Sequence, residues 1–302
     1  MTILVLGGQG MAGHVITGYL RSGTAAEVWC TVRRLADDSG AGSGDAQTLE
    51  LDVMDEQQLR QILLQVKPQV VINAVGLLNE EADRRQLNAI YVNSFLPHRL
   101  VQLGNELGFR LIHISTDCVF SGRRGGYTEQ DVADGYTLYA RTKRLGEVHQ
   151  DPHLTIRTSI IGPELKPGGI GLFHWFMQQQ GEIRGYERVY WSGVTTLELA
   201  KAIGWVLGQE QLSGLVHLTS PHKISKFDLL TLIQSIFSCP NVTIVPYDGL
   251  SSDKSLVNTR SDFTYPVPAY AEMLQEMRAW IYEHSSDYTL YKISWQEGGA
   301  SM

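Results

Sequence analysis

Along the first half of the chain, short apolar runs alternate with longer stretches whose apolar residues recur every three or four positions. The short runs predict strands at Ile3–Leu6, Val28–Val32, Thr48–Leu51, Val70–Asn73, Arg110–Ser115 and Leu154–Arg157. The stretches between them predict helices over Met11–Arg21, Glu56–Val66, Arg85–Leu107 and Thr137–His149. Strands that are apolar throughout belong in a parallel sheet covered by helices on both faces. Right-handed crossovers then make a doubly wound, Rossmann-type α/β fold, with ligands at the carboxyl ends of the strands.

Beyond Ile161 the alternation is interrupted by Pro163, Pro167, Gly168, Gly169 and Gly171. Helices are predicted at Leu172–Gln179, Thr196–Leu207, Lys226–Phe237 and Tyr270–Glu283, with a strand at Leu215–Leu218. The expected organisation is a sheet domain over residues 1–161 and a smaller, mixed substrate-binding region over 162–284. Segments near 190–220 have the option of returning to the main sheet. Residues 285–302 are polar with Tyr288, Tyr291 and Trp295, and are expected to form a tail that is flexible or docked on a partner. The Gly-, Ser- and Asp-rich segment Asp37–Asp45 is expected to be a loop.

Composition narrows the function classes. The chain has 302 residues, 43% of them hydrophobic, enough for one large core or a core plus a smaller lobe. No apolar run approaches the ~20 residues of a spanning helix, so no membrane partner is expected. Met1-Thr-Ile-Leu-Val enters a strand without a charged leader, which points to a cytoplasmic location. The net charge of −7, with no basic block, argues against nucleic acid. Cys30, Cys118 and Cys239 are scattered and odd in number, giving neither a disulfide framework nor a CxxC site. The histidines show no metal-ligand spacing, so no metal is expected.

Gly7, Gly10 and Gly13 form G-x-x-G-x-x-G directly after the first strand, with Met11 and Ala12 at the mouth of the first helix. Glycines there permit a tight turn and let a pyrophosphate approach the backbone and the helix N-terminus. The second strand ends in Arg33-Arg34 and carries no acid that would hold the ribose hydroxyl of NAD(H). An arginine in that place suits the 2′-phosphate of NADP(H), which is therefore favoured over NAD(H); a solvated surface pair is the alternative. Asp52 and Val53 follow the third strand, on the adenine side. Ala74, Val75 and Gly76 follow the fourth, where small residues let backbone pass under a cofactor.

Tyr139 and Lys143 lie four apart on a predicted helix and so share one face. An ammonium beside a phenol favours the phenolate, and Lys143 is expected to lower the Tyr139 pKa in this way. The fifth strand delivers Ser115-Thr116-Asp117, where a hydroxyl can bond a substrate carbonyl and stabilise the developing oxyanion. Thr116 is thus a candidate for both catalysis and substrate binding, and Asp117 for substrate binding. Asn93 either holds a water or carbonyl behind the lysine or is an ordinary satisfied asparagine. His174, Trp175 and Trp191 could face substrate, although Phe173, Trp175 and Phe176 suit a core better, as does Trp191.

Together these residues resemble the extended short-chain dehydrogenase/reductases, most closely their dTDP-4-dehydrorhamnose reductase-like branch. The resemblance is carried by Gly7–Gly13, Asn73-Ala74, Ser115-Thr116-Asp117-Cys118-Val119-Phe120-Ser121-Gly122, Tyr139–Lys143 with Gly146-Glu147, and Arg157-Thr158-Ser159. It implies a catalytic set falling on Thr116, Tyr139 and Lys143. Hydride would pass from reduced nicotinamide to the 4-keto carbon of a nucleotide-linked deoxysugar, with Tyr139 supplying the proton. A nucleotide sugar is then the expected partner, and a homodimer is an open option. Cys118 stands where the branch carries tyrosine, and Ile160 where rhamnose-forming enzymes carry tryptophan, so the sugar's identity is not implied. Two alternatives remain: a nucleotide-sugar epimerase or dehydratase, and a non-catalytic subunit like the regulatory β subunit of methionine adenosyltransferase, which the branch also resembles.

Overall fold

The computed structural model describes residues 1–35 and 46–291; the predicted loop Asp37–Asp45 and Trp295 lie outside the described residues. A seven-stranded, wholly parallel sheet organises the chain. Its strands are β1 (Thr2–Leu6), β2 (Glu27–Val32), β3 (Thr48–Glu50), β4 (Val70–Asn73), β5 (Arg110–Thr116) and β6 (Leu154–Thr158). Three strands outside this sheet follow: β7 (Ile160–Ile161), β8 (Gly181–Trp191) and β9 (Val194–Thr195). The chain then adds β10 (Gly214–His217) beside β6, so the order is β10-β6-β5-β4-β1-β2-β3. The order reverses between β1 and β4, which opens a crevice at their carboxyl ends.

Helices cover both faces. On one, Val15, Ile16 and Leu20 of α1 (Gly13–Gly23) pack with buried Leu199, Ile203 and Val206. On the other, Leu59, Ile62 and Leu63 of α2 (Glu56–Val66) form a core with Leu100 and Leu103. Each such side chain contributes roughly 1.5–3 kcal/mol when fully buried. Asp55 starts α2 by accepting the N–H groups of Gln57 and Gln58, and Lys67, at φ 48°, ends it.

The predicted helix over Arg85–Leu107 forms as one continuous helical run, Gln86–Leu107, but it widens in the middle. Helices α3 (Asn79–Arg84) and α4 (Gln86–Ala89) precede a widened π-helical turn, Ile90–Phe95, before α5 (Leu96–Leu107). Pro97 has no N–H for the carbonyl of Asn93, and its ring crowds that oxygen in a regular helix, so the turn widens. This sets Asn93 facing inward, wholly buried.

Helix α6 (Leu138–Leu145) precedes β6; α7 (Leu172–Met177) and α8 (Thr196–Leu207) follow β7 and β9. Strand β11 (Ile224–Ser225) leads into α9 (Lys226–Phe237), then β12 (Val242–Asp253) and α10 (Tyr270–Glu283). Strands β8 and β12 run in parallel, with β11 on the other edge of β8, as a second small sheet. Neither long strand is predicted from the sequence pattern. Charged Glu182, Arg184, Glu187 and Arg188 break up the apolar signal of β8, of which only Ile183, Gly185 and Trp191 are buried. The expected free or partner-docked tail is corrected as far as residue 291. Tyr288 and Tyr291 are buried against the chain's own core, with Phe173 and Phe237. Among the described residues, no helix is long and apolar enough to cross a membrane.

Candidate active site

The glycine turn links β1 to α1. Gly7 sits at φ +88°, a left-handed conformation that a side chain would strain. A Cβ on Gly13 would lie 2.1 Å from the Gly7 carbonyl oxygen, so only glycine lets helix and turn close on each other. Gly10 is different: a Cβ there would meet only the Gly7 oxygen, at 3.3 Å, and would otherwise project into open space. No side chain caps the N-terminus of α1. The turn therefore presents bare backbone and a helix mouth to a cleft.

A cavity of about 310 Å³ opens there, between the ends of β1, β2 and β4. Gly7, Gly10, Arg33, Asp52 and Val53 line it, as do Ala74, Val75 and Gly76. Arg34 is exposed and is not among its lining residues. The structure thus brings one of the two arginines to the cleft. Asn93 clamps the edge of this cavity by accepting the Leu77 N–H at 2.9 Å and donating to the Leu77 oxygen at 2.9 Å.

A second cavity, about 430 Å³, continues from the first over β5. Met11 and Ala12 line its near side, and Thr116, Asp117, Cys118, Tyr139 and Lys143 its floor. Gly13 lines neither cavity; its part is the close turn. Thr116 Oγ accepts the Cys118 N–H at 3.1 Å and donates to Asp117 Oδ1 at 3.2 Å. Tyr139 is 8% exposed and Lys143 4%.

The electrostatics depart from the sequence expectation. Burial pushes the Tyr139 phenol well above its ordinary pKa, with Cys118 and Asp117 adding to this and the Thr116 hydroxyl opposing it. Lys143 is not among the groups acting on the phenol. Its ammonium instead donates to the Ile114 carbonyl at 2.7 Å and lies 3.4 Å from His113 Nε2. Burial lowers the Lys143 pKa to about 8, with Glu147 pulling the other way. In this arrangement the lysine head is drawn onto the strand rather than onto the phenol, and burial dominates the Tyr139 pKa.

His113 was not anticipated. It is fully buried, hydrogen-bonds Asn73 at 3.2 Å, and is held well below its ordinary pKa by burial and then by Lys143. A neutral imidazole can stand beside the ammonium, where a charged one would repel it. Asp117 was expected and is buried; burial raises its pKa, while Lys254 and Lys226 oppose the rise and Ser159 bonds it. Both lysines come from the C-terminal half of the chain. Behind the site, Glu147 takes a two-point bond from Arg157 at 2.7 Å and a bond from the Ser115 hydroxyl at 2.7 Å.

Trp191 is buried, with the Lys226 ammonium 5.2 Å from its ring centre, and Trp175 is 40% exposed; neither lines the cavities described above. His174 is a core residue bonded to Tyr291 at 2.6 Å. The loop between β7 and α7, which sequence reading passed over, supplies Glu164, Lys166 and Ile170 to the second cavity. It has no periodicity to mark it, and proline with glycine was its only local signal.

Residues 1–251 match the family described as RmlD substrate binding domain. A dTDP-4-dehydrorhamnose reductase of Streptomyces griseus is 33% identical over 146 residues, covering 48% of this chain and 43% of that protein. The chain spans less than half the length of the bacterial relatives it matches. The methionine adenosyltransferase 2 subunit beta of Danio rerio is 22% identical over 259 residues, 81% of this chain and 76% of that one. Among solved structures, a dTDP-4-dehydrorhamnose reductase from Bacillus anthracis, in complex with NADP, superimposes with a TM-score of 0.76. It is 18% identical and covers 92% of this chain and 99% of the other. At that identity the likeness establishes the shared fold.

Proposed function

The chain belongs to the RmlD substrate binding domain family, and from that premise we propose that it is an NAD(P)H-dependent reductase of a nucleotide-linked 4-keto-deoxysugar. The observation that carries this reading is the placement of Thr116 and Tyr139 on the floor of a cavity continuous with the glycine-lined cleft.

The residues fit a dinucleotide. Gly10 leaves the space a Cβ would take, the α1 mouth has no side-chain cap, and Arg33 lines the far end with Asp52. Gly7, Gly10, Met11 and Ala12 would hold the pyrophosphate, and Arg33 the 2′-phosphate that favours NADP(H). Bound reduced nicotinamide supplies the hydride. Thr116 donates a hydrogen bond to the sugar's carbonyl oxygen, which polarises it. Tyr139, kept protonated by burial, gives its proton to the oxygen as negative charge develops there. Lys143 keeps a buried positive charge one helical turn from Tyr139 and would turn from the Ile114 carbonyl to bond the cofactor ribose. Asp117 faces the sugar, with Cys118 and Ile160 setting the shape of the pocket.

The test is to mix the purified chain with NADPH or NADH and a panel of dTDP- and UDP-linked 4-ketosugars. Consumption of reduced cofactor with formation of the alcohol is expected. A second reading, a non-catalytic regulatory subunit, is favoured by the long alignment with the Danio rerio β subunit. Tight cofactor binding with no turnover on any ketosugar would support it instead.

A further inference from the structure

Six residues line both cavities: Gln9, Gly10, Ala74, Val75, Gly76 and Lys166. Five of them follow strands β1 and β4 on the sheet side. Lys166 alone comes from the opposite wall, the loop between β7 and α7. We infer that Lys166 is a second phosphate-binding arm of the cofactor site, holding a dinucleotide's pyrophosphate against the mouth of α1. This rests on the nicotinamide-cofactor reading above.

Anchoring of the loop supports the assignment. The Glu164 N–H donates to the Tyr291 hydroxyl at 2.8 Å, and the Glu164 carboxylate takes the Gly171 N–H at 2.7 Å. The Pro167 carbonyl lies 3.1 Å from His174 Nε2, and the Gly169 N–H closes a turn on the Lys166 carbonyl at 3.2 Å. The backbone on either side of Lys166 is therefore tied to the buried end of the chain, while exposed Lys166 itself lines both cavities. Such a tether places a charge without fixing its head, which suits a lysine meeting a phosphate as a point charge.

Charge balance points the same way. The first cavity carries Arg33, Arg85 and Lys166 against one carboxylate, Asp52. Arg85 is engaged by Glu81 at 3.3 Å, whereas the Lys166 ammonium has no ion-pair partner among the described residues. Glu164, the carboxylate of the same loop, takes the Gly171 N–H and lines the second cavity rather than the first. Setting Arg85 aside with its partner Glu81, Arg33 and Lys166 outnumber Asp52 in the lining of the first cavity.

A diphosphate at this junction could belong to the cofactor or to the nucleotide sugar. The shared lining at the glycine turn favours the cofactor. The experiment titrates NADH, NADPH and dTDP into wild type, Lys166→Ala and Lys166→Arg, following binding by calorimetry. Lys166→Ala is expected to weaken NADH and NADPH alike, by about tenfold, with dTDP unchanged and Lys166→Arg near wild type. Equal loss for both dinucleotides separates this contact from Arg33, whose effect belongs to the 2′-phosphate alone. Unchanged dinucleotide affinity in Lys166→Ala, or a loss confined to dTDP, overturns the inference. A wild type that binds neither dinucleotide overturns the cofactor reading itself, and the inference with it.

Discussion

Replacing Lys143 by methionine is expected to stabilise the free protein at neutral pH while impairing cofactor binding and turnover. Lys143 is 4% exposed, and burial lowers its pKa from 10.5 to about 8. That difference corresponds to about 3 kcal/mol of lost stability below pH 8. The unfolded chain keeps the lysine proton up to pH 10.5, whereas the folded chain releases it near 8. Between those values the unfolded state binds more protons, so stability rises with pH and the penalty fades. Methionine removes the penalty and retains the apolar stem. It also strands the Ile114 carbonyl, which now accepts from Lys143 at 2.7 Å, at a cost of about 1–2 kcal/mol. The net expectation is a gain of about 1–2 kcal/mol at pH 7, shrinking above pH 8 and reversing between about pH 9 and 10. Urea denaturation of both proteins without cofactor, from pH 6.5 to 9.5, measures the difference directly. A variant less stable than wild type at pH 7, by a margin that does not change with pH, would refute the reasoning.

Four further outcomes are expected. Tyr139→Phe should lower kcat by ~10²–10⁴ while dinucleotide affinity stays within a few-fold, measured by steady-state kinetics and calorimetry side by side. Arg33→Ala should weaken NADPH by about tenfold to a hundredfold and leave NADH nearly unchanged, whereas Arg34→Ala should leave the ratio near that of wild type. Gly13→Ala should cost several-fold or more in affinity for both cofactors, since its Cβ would collide with the Gly7 oxygen at 2.1 Å; near-normal binding would show that the turn yields freely. Glu147→Ala should lower stability by about 3–5 kcal/mol, because it leaves Arg157 buried without its carboxylate, and chemical denaturation reads this out.

The sheet domain was legible from the residues because its signals are local. Strands β1 and β4 are apolar on both faces, β5 and β6 carry apolar runs between turn signals, and the periodic helices α2, α8 and α9 fall where their pattern places them. Gly7, Gly10 and Gly13 announce their turn because backbone geometry and close approach act within a few residues. Thr116, Tyr139 and Lys143 could be named as a set because strand end and helix phase place them on one cavity floor. Tertiary structure decided the rest. Whether Lys143 lowers the Tyr139 pKa depends on where its flexible head finds a partner, and the Ile114 carbonyl takes it. The neutrality of His113 follows from burial on β5 beside that lysine, which no spacing in the chain encodes. Strands β8 and β12 hide because each is a half-exposed surface whose partner is distant in sequence. The polar tail likewise reads as flexible or partner-docked until Tyr288 meets His14 and Tyr291 meets Glu164 and His174. Helical period and turn chemistry are properties of a few neighbouring residues; the state of a buried charge and the course of an aperiodic loop are set by whatever the folded chain brings beside them.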